Sequence, residues 1–311
     1  MNPLRSAILA AARSDRLRST IAAAPPTRAV VDRFVAGETT ADALRVARAL
    51  VDAGCAVSLD HLGEDVTDAA EAGRAVDAYR EVLEAVAAAG LADRVEVSVK
   101  LSALGQGLGA GGEAVAYEHA AAICAVAADA GTTVTVDAED HTTTDSTLRV
   151  VAKLRETWPW VGAVLQAQLR RTEADCGTLA GPGSRVRLCK GAYAEPESVA
   201  YRTADSVRAS FARCAGTLLD GAGYPMFATH DPVLVRVLTD RLRATGRDPA
   251  TAELQLLYGV RPDEQRRLVD EGHTVRVYVP YGTQWYGYLM RRLAERPANV
   301  AFFLRALAGR R

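Results

Sequence analysis

TVRVYVPYG, Thr274 to Gly282, is a short β-branched run closed by a turn signal, and it reads as a β-strand. Its weight comes from its place in a series. Seven earlier runs have the same character: AVSLDHLGE (56 to 64), RVEVSVKLSAL (94 to 104), TTVTVDAED (132 to 140), VGAVLQAQ (161 to 168), RVRLCKGAY (185 to 193), YPMFATHD (224 to 231) and TAELQLLYG (251 to 259). Five to seven strands alternating with helices favour an open doubly wound sheet, whereas eight favour a closed parallel (β/α)8 TIM-type barrel. The run at 274–282 therefore decides for the barrel. Between the strands lie Ala-rich amphipathic stretches such as VDAYREVLEAVAAAG and YEHAAAICAVAADAG, several closed by a glycine of the kind that caps helices. Only the connection at 169–184 is weak as a helix. Residues 1–55 read as an N-terminal helical segment ahead of the repeat, broken by Pro25-Pro26, and 56–311 as the barrel.

Composition narrows the function. A formal net charge of −1 with interspersed signs offers no basic stripe for a nucleic-acid backbone. No apolar run approaches the roughly 20 residues that span a bilayer, and the N-terminus is too broken by charge for a secretory signal, so a cytoplasmic protein is expected. The five cysteines are scattered without C-x-x-C spacing, which fits reduced structural thiols. Lysine occurs only at Lys100, Lys153 and Lys190, and the other basic residues are arginine, a bias that GC-rich coding explains.

In a barrel of this type the active site lies where strands end and the following loops begin. Polar groups gather at those ends: Asp60, His61 and Glu64; Lys100; Asp137 and Glu139; Gln166 and Gln168; Arg187 and Lys190; Thr229, His230 and Asp231; Gln255 and Tyr258; Tyr278 and Tyr281. Any one of them is most simply a strand end meeting water. Their recurrence at all eight strands points to a site.

Several motifs compete for it. Gly107, Gly109 and Gly112 match G-x-G-x-x-G ahead of a helix, as nicotinamide sites do, but five glycines within 105–112 match many patterns, and a flexible loop over the barrel mouth is the better reading. DAEDH, LDH and THD supply metal-ligand types without firm metal spacing, so no metal is expected. Lys100 or Lys190, desolvated in a barrel mouth, suits a Schiff-base lyase, although an ion-pairing lysine is the plainer account. On the helix after the eighth strand, YLMRRLAERP sets Arg291 beside Arg292, with Tyr288 one turn before and Glu295 one turn after. Neighbouring residues point apart on a helix, so the pair suits a clamp gripping one small carboxylate from two sides.

With SVKLSAL, VDAED, VLQAQLRR, RLCKGAY, FATHD, ELQLLYG, RVYVPYG and YLMRRLAERPAN in order, the chain from about residue 56 onward resembles the proline dehydrogenase family, in its monofunctional bacterial form without the aldehyde dehydrogenase half. The resemblance implies FAD lying across the barrel mouth and oxidation of L-proline to Δ1-pyrroline-5-carboxylate by hydride transfer from C5 to flavin N5. It implies that Arg187 bonds near N5, that Asp137 orders the polar network, and that Ala138, Gln166, Lys190, Gly191, Ala192, Thr229 and His230 hold the flavin. Arg291 and Arg292, helped by Lys100, would bind the proline carboxylate. Tyr278 and Tyr288 would pack on the ring, Glu295 would brace the clamp, and Glu64 would close over Arg291. Electrons would pass to a quinone, with peripheral membrane contact by analogy. Asp231 and Tyr258 stand where the family often has Asn and His.

Overall fold

The structure, a computed structural model, describes residues 31–295, with side chains as far as Met290. Eight parallel strands close into a barrel in chain order: β1 (Ala56–His61), β2 (Val95–Val99), β3 (Val134–Val136), β4 (Gly162–Gln166), β5 (Arg185–Cys189), β6 (Tyr224–Ala228), β7 (Glu253–Leu257) and β8 (Val275–Tyr281). The eighth strand makes the closure, pairing with β1 from Ala56↔Arg276 to His61↔Tyr281. Of the polar groups expected at the strand tips, Lys100, Asp137, Lys190 and Thr229 are the first residues past β2, β3, β5 and β6, whereas Asp60, Gln166, Arg187, Gln255 and Tyr278 lie within their strands.

Strand alternation sorts the side chains onto two faces. Val57, Leu59, Val95, Val97 and Val99 join Tyr79, Leu83, Ile123, Leu154, Phe211 and Leu238 in one buried apolar layer between sheet and helices. Each such side chain contributes about 1.5–3 kcal/mol by leaving water. The other face points inward and is polar. Glu96 on β2 meets Arg185 and Arg187 on β5 and Arg276 on β8, contacts between strands that are not neighbours and that only the barrel interior allows.

The helices carry local start signals. In α1 (Thr40–Asp52), Thr39 and Asp42 form a reciprocal capping box. Next come α2 (Ala69–Ala88), capped by Asp68, α3 (Gly112–Ala130) and α4 (Thr144–Arg155). The weak stretch at 169–184 yields the short α5 (Thr172–Leu179). Then follow α6 (Ala204–Asp220), capped by Thr203, α7 (Pro232–Thr245), capped by Asp231 with Pro232 in the first turn, α8 (Pro262–Asp270) and α9 (Trp285–Glu295).

Two features depart from a plain repeat. Helix α1, which the sequence sets apart from the barrel, lies against both β1 and β8 through Ala43, Val46 and Ala47. The seat between first and last strands is thus filled from the N-terminal side. The last helix lies elsewhere: Trp285, Tyr286, Tyr288, Leu289 and Met290 of α9 pack with Phe34, Val35 and Leu62 in a separate apolar cluster. Residues 33–37 run as a strap beneath it, with the Ala36 amide donating to the Pro280 carbonyl and the Gly282 amide to Gly37, both at 2.9 Å. Trp285 Nε1 donates to Glu38 at 3.1 Å.

The glycine-rich loop corrects an expectation. It forms 3-10 turns at Leu101–Leu104 and Gly109–Gly111 and lines no part of the barrel-mouth cavity. Buried Leu101 and Leu104 draw it down against α2 and α3.

Candidate active site

A cavity of about 760 Å³ opens at the C-terminal ends of the strands, within the size range of small-molecule sites. Its floor is ionic. Lys100 Nζ lies 2.8 Å from both carboxylate oxygens of Asp60. Arg187 Nη1 donates to Asp137 Oδ1 at 2.7 Å and to Ser98 Oγ at 2.9 Å, and the Tyr278 hydroxyl donates to Asp137 Oδ2 at 2.7 Å. Both oxygens of Asp137 are thereby engaged. Strand geometry sets this pattern, because Asp60, Arg187 and Tyr278 are inward positions on β1, β5 and β8, while the Asp137 amide bonds back to the Val99 carbonyl at 2.8 Å.

Burial and charge oppose each other across the floor. Burial alone lowers the Lys100 ammonium, but the Asp60 and Asp137 carboxylates outweigh it and hold the group above its ordinary lysine value. Burial raises the Asp137 carboxyl above its ordinary value, against the pull of Arg187 and Lys100. Burial, reinforced by Asp137 and Asp60, pushes the Tyr278 phenol far up, so it stays a proton donor.

The opposite wall is a second charged group. Asp231 Oδ2 accepts from Lys190 Nζ at 2.6 Å and from Arg208 Nε at 3.0 Å, while its Oδ1 caps α7 through the Val233 amide at 3.0 Å. Burial raises this carboxyl, yet the bonds from Lys190 and Arg208 prevail and hold it well below the usual range. A carboxylate at this position thus serves as helix cap and double ion-pair acceptor at once. The Lys190-Gly191-Ala192 turn requires its glycine: φ is +102°, and a Cβ would come within 2.3 Å of Gln168. Gln166 Nε2 donates to the Glu139 carbonyl at 2.6 Å. His230 Nε2 accepts the Leu257 amide at 2.9 Å, which places the proton of the neutral ring on Nδ1. Val164, Ala228 and Leu256 supply apolar wall, and Tyr288 reaches the cavity from α9.

Lys100, Asp137, Ala138, Gln166, Arg187, Lys190, Gly191, Ala192, Thr229, His230, Tyr278 and Tyr288 therefore share one cavity. Glu64 sits in the extended loop after β1; it does not line the cavity, but its charge reaches Lys100 and helps to raise it. Arg291, Arg292 and Glu295 fall in the last turns of α9, and their side chains lie outside the described residues. Both candidate Schiff-base lysines are ion-paired, Lys100 to Asp60 and Lys190 to Asp231, and the raised Lys100 ammonium makes that amine a poor nucleophile. Sequence reasoning missed Arg208, Tyr193, Cys189 and Val233 on the lining and gave Asp60 no role. Arg208 carries no signal of its own, since its reach to Asp231 spans two barrel repeats. Asp60 is different: it pairs with Ser98, two residues before Lys100 on the adjacent strand, and opposite charges at neighbouring strand ends were there to be paired.

The comparisons with known proteins agree among themselves. The proline dehydrogenase family profile matches residues 43–305. A proline dehydrogenase of Deinococcus radiodurans is 38% identical over 280 residues, 89% of this chain and 90% of its own. Proline dehydrogenase 1 of Bacillus subtilis (strain 168) is 36% identical over 282 residues, 90% and 91% respectively. Among solved structures, proline utilization A (PutA) of Bdellovibrio bacteriovorus, inactivated by N-propargylglycine, superposes over 86% of this chain with a TM-score of 0.78 at 23% identity, a likeness of fold. A Bradyrhizobium japonicum PutA mutant gives 0.72 over 88% at 26% identity. The chain spans about a third of either PutA, 32% of each.

Proposed function

The chain belongs to the proline dehydrogenase family and is a proline-oxidising enzyme, and from that premise we propose that it converts L-proline to Δ1-pyrroline-5-carboxylate with FAD bound across the barrel mouth and passes the electrons to a quinone. The donor set of the cavity carries the cofactor reading. Lys190 and Arg208 frame the 190–192 turn on one wall and suit a diphosphate; Val164, Ala228 and Leu256 suit a flat ring; and Arg187 stands at the floor between them. Ala138, Gln166, Gly191, Ala192, Thr229 and His230 complete the cofactor's surroundings. A bound flavin supplies a two-electron acceptor for the hydride leaving C5 of proline.

The chain's own residues orient and exclude. Lys100, kept charged by Asp60, presents a cation to the substrate carboxylate, which Arg291 and Arg292 grip from α9 with Glu295 bracing them. Tyr278 and Tyr288 pack on the pyrrolidine ring and keep water out. Glu64 closes over Arg291 by an ion pair. Both floor carboxylates are held within the floor: Asp60 binds Lys100 through both oxygens, and Asp137 is shared by Arg187 and Tyr278. Hydride departure driven by the nitrogen lone pair requires proline's amine to be neutral when the hydride leaves. Catalysis rests on positioning and electrostatics.

We place the division between helical lead-in and barrel at residue 55. Among the described residues no helix is long and apolar enough to cross a membrane. A cytoplasmic enzyme touching the inner membrane face peripherally suits delivery to a quinone. The purified protein is expected to be yellow, and L-proline to bleach its flavin band without oxygen. A colourless protein that takes up no FAD refutes the proposal.

A further inference from the structure

Beneath the cavity, Glu96 is 1% exposed and lines no part of the cavity wall. Its oxygens accept from Ser58 Oγ at 2.5 Å, Thr133 Oγ1 at 2.8 Å and Thr135 Oγ1 at 3.2 Å. Three guanidinium groups converge on it: Arg185 at 2.5 Å, Arg187 at 3.4 Å and Arg276 at 3.7 Å. Burial raises its carboxyl, but Arg276, Arg185 and Arg187 together hold it below its ordinary value, so it is an anion at neutral pH. Such a cluster is an expensive way to fill a barrel, since apolar side chains of like volume stabilise as well or better.

Arg187 explains the placement. Its Nη1 points toward Asp137 and Ser98, its Nη2 toward Ser58 at 3.2 Å and Glu96 at 3.4 Å. The guanidinium is thus held along two edges, by one carboxylate at the cavity and one beneath it. Its Nε is buried and meets no acceptor among the described residues. We propose that Glu96 is a positioning residue that fixes Arg187 from below and attenuates its positive field at the cavity, so that it sets the reduction potential of the bound flavin. This rests on the flavin reading above.

The sign follows from charge. Reduced flavin carries more negative charge than oxidised flavin, so a stronger cation beside it favours reduction. Glu96→Gln removes an anion while keeping shape and acceptor, which strengthens the field of Arg187. Arg185 pulls Glu96 away from Arg187 and does not line the cavity; Arg185→Gln frees the anion to act on Arg187 and has the opposite effect.

The test is an anaerobic dye-equilibrium titration of FAD-loaded wild type and both variants, preceded by FAD binding to each apoprotein through fluorescence quenching. Glu96→Gln is expected to raise the reduced-to-oxidised ratio at fixed dye potential about tenfold, about 30 mV for a two-electron couple. Arg185→Gln is expected to lower it, with proline KM within twofold of wild type in both. Wild-type apoprotein that binds no FAD overturns the cofactor reading and this inference with it. Wild type that binds FAD, with a Glu96→Gln potential unchanged or lowered, overturns the role of Glu96 alone. Should Glu96→Gln fail to fold, Arg185→Gln decides: a downward shift supports the inference and an unchanged potential overturns it.

Discussion

Asp60→Asn tests the electrostatics of the site floor without touching the fold's apolar layers. Lys100 is 12% exposed and Asp60 1%, with Nζ 2.8 Å from both oxygens. Losing one partner of a buried pair costs about 3–5 kcal/mol, because the other charge stays buried. Here Asp137 also supports the Lys100 charge, so the lower end, about 3 kcal/mol, is expected. The pH dependence has a definite sign. In the wild type the raised folded pKa of Lys100 contributes stability that is fully present below the ordinary lysine value near 10.4 and lost as pH rises through the folded value. In the variant burial dominates and lowers that pKa below the unfolded one. The unpaired ammonium then destabilises most at neutral pH and is relieved as it deprotonates. Urea unfolding at pH 7 and pH 9.5 should therefore show a gap between wild type and variant that narrows with pH. A loss under about 1 kcal/mol at pH 7, or a gap that widens, refutes the reasoning.

Two further outcomes follow from the last helix and its support. Arg291→Met or Arg292→Met should raise proline KM about 10- to 100-fold, the worth of a charge-assisted hydrogen bond, with flavin content unchanged; unaltered KM in both variants counts against the clamp. Gly259 and Gly246 both have positive φ, +71° and +63°, but a Cβ at 259 meets the Arg33 carbonyl oxygen at 1.7 Å while one at 246 meets nothing within 4 Å. Gly246→Ala should cost about 1 kcal/mol and Gly259→Ala about 3 kcal/mol or more, read as thermal unfolding. Equal losses would mean that the strap yields freely.

The barrel was legible because β-branched runs recur eight times, with several of the helical stretches between them closed by a glycine. What those runs did not disclose is where their polar residues point. Glu96, Arg185, Glu253 and Arg276 look like the solvated face of half-exposed strands, and only closure shows that they meet inside, where Arg276 Nε lies 2.8 Å from Glu253. The site's strand-end residues were legible for a related reason: barrel topology brings them together whatever their distance in sequence. Arg208 was not, since its contact depends on how far α6 tilts toward β6. The seat of α9 was hidden too, because an aromatic run after β8 is equally consistent with a helix packed beside the barrel.

The N-terminal helix in the seam between β1 and β8 bears on how the chain is made. Its stripe of Ala43, Val46 and Ala47 emerges from the ribosome first, yet half its seat is β8, and the seam bond from Arg276 to the Val57 carbonyl joins residues 219 positions apart. At translation rates of about 5–20 residues per second the helix waits roughly 10–45 s for its partner strand. During that interval β1 has an unpaired edge. Contacts of such long range also slow closure once synthesis ends. Substitutions that make the stripe more apolar should therefore reduce soluble yield before they change the folded enzyme, and a slower message should make the loss worse.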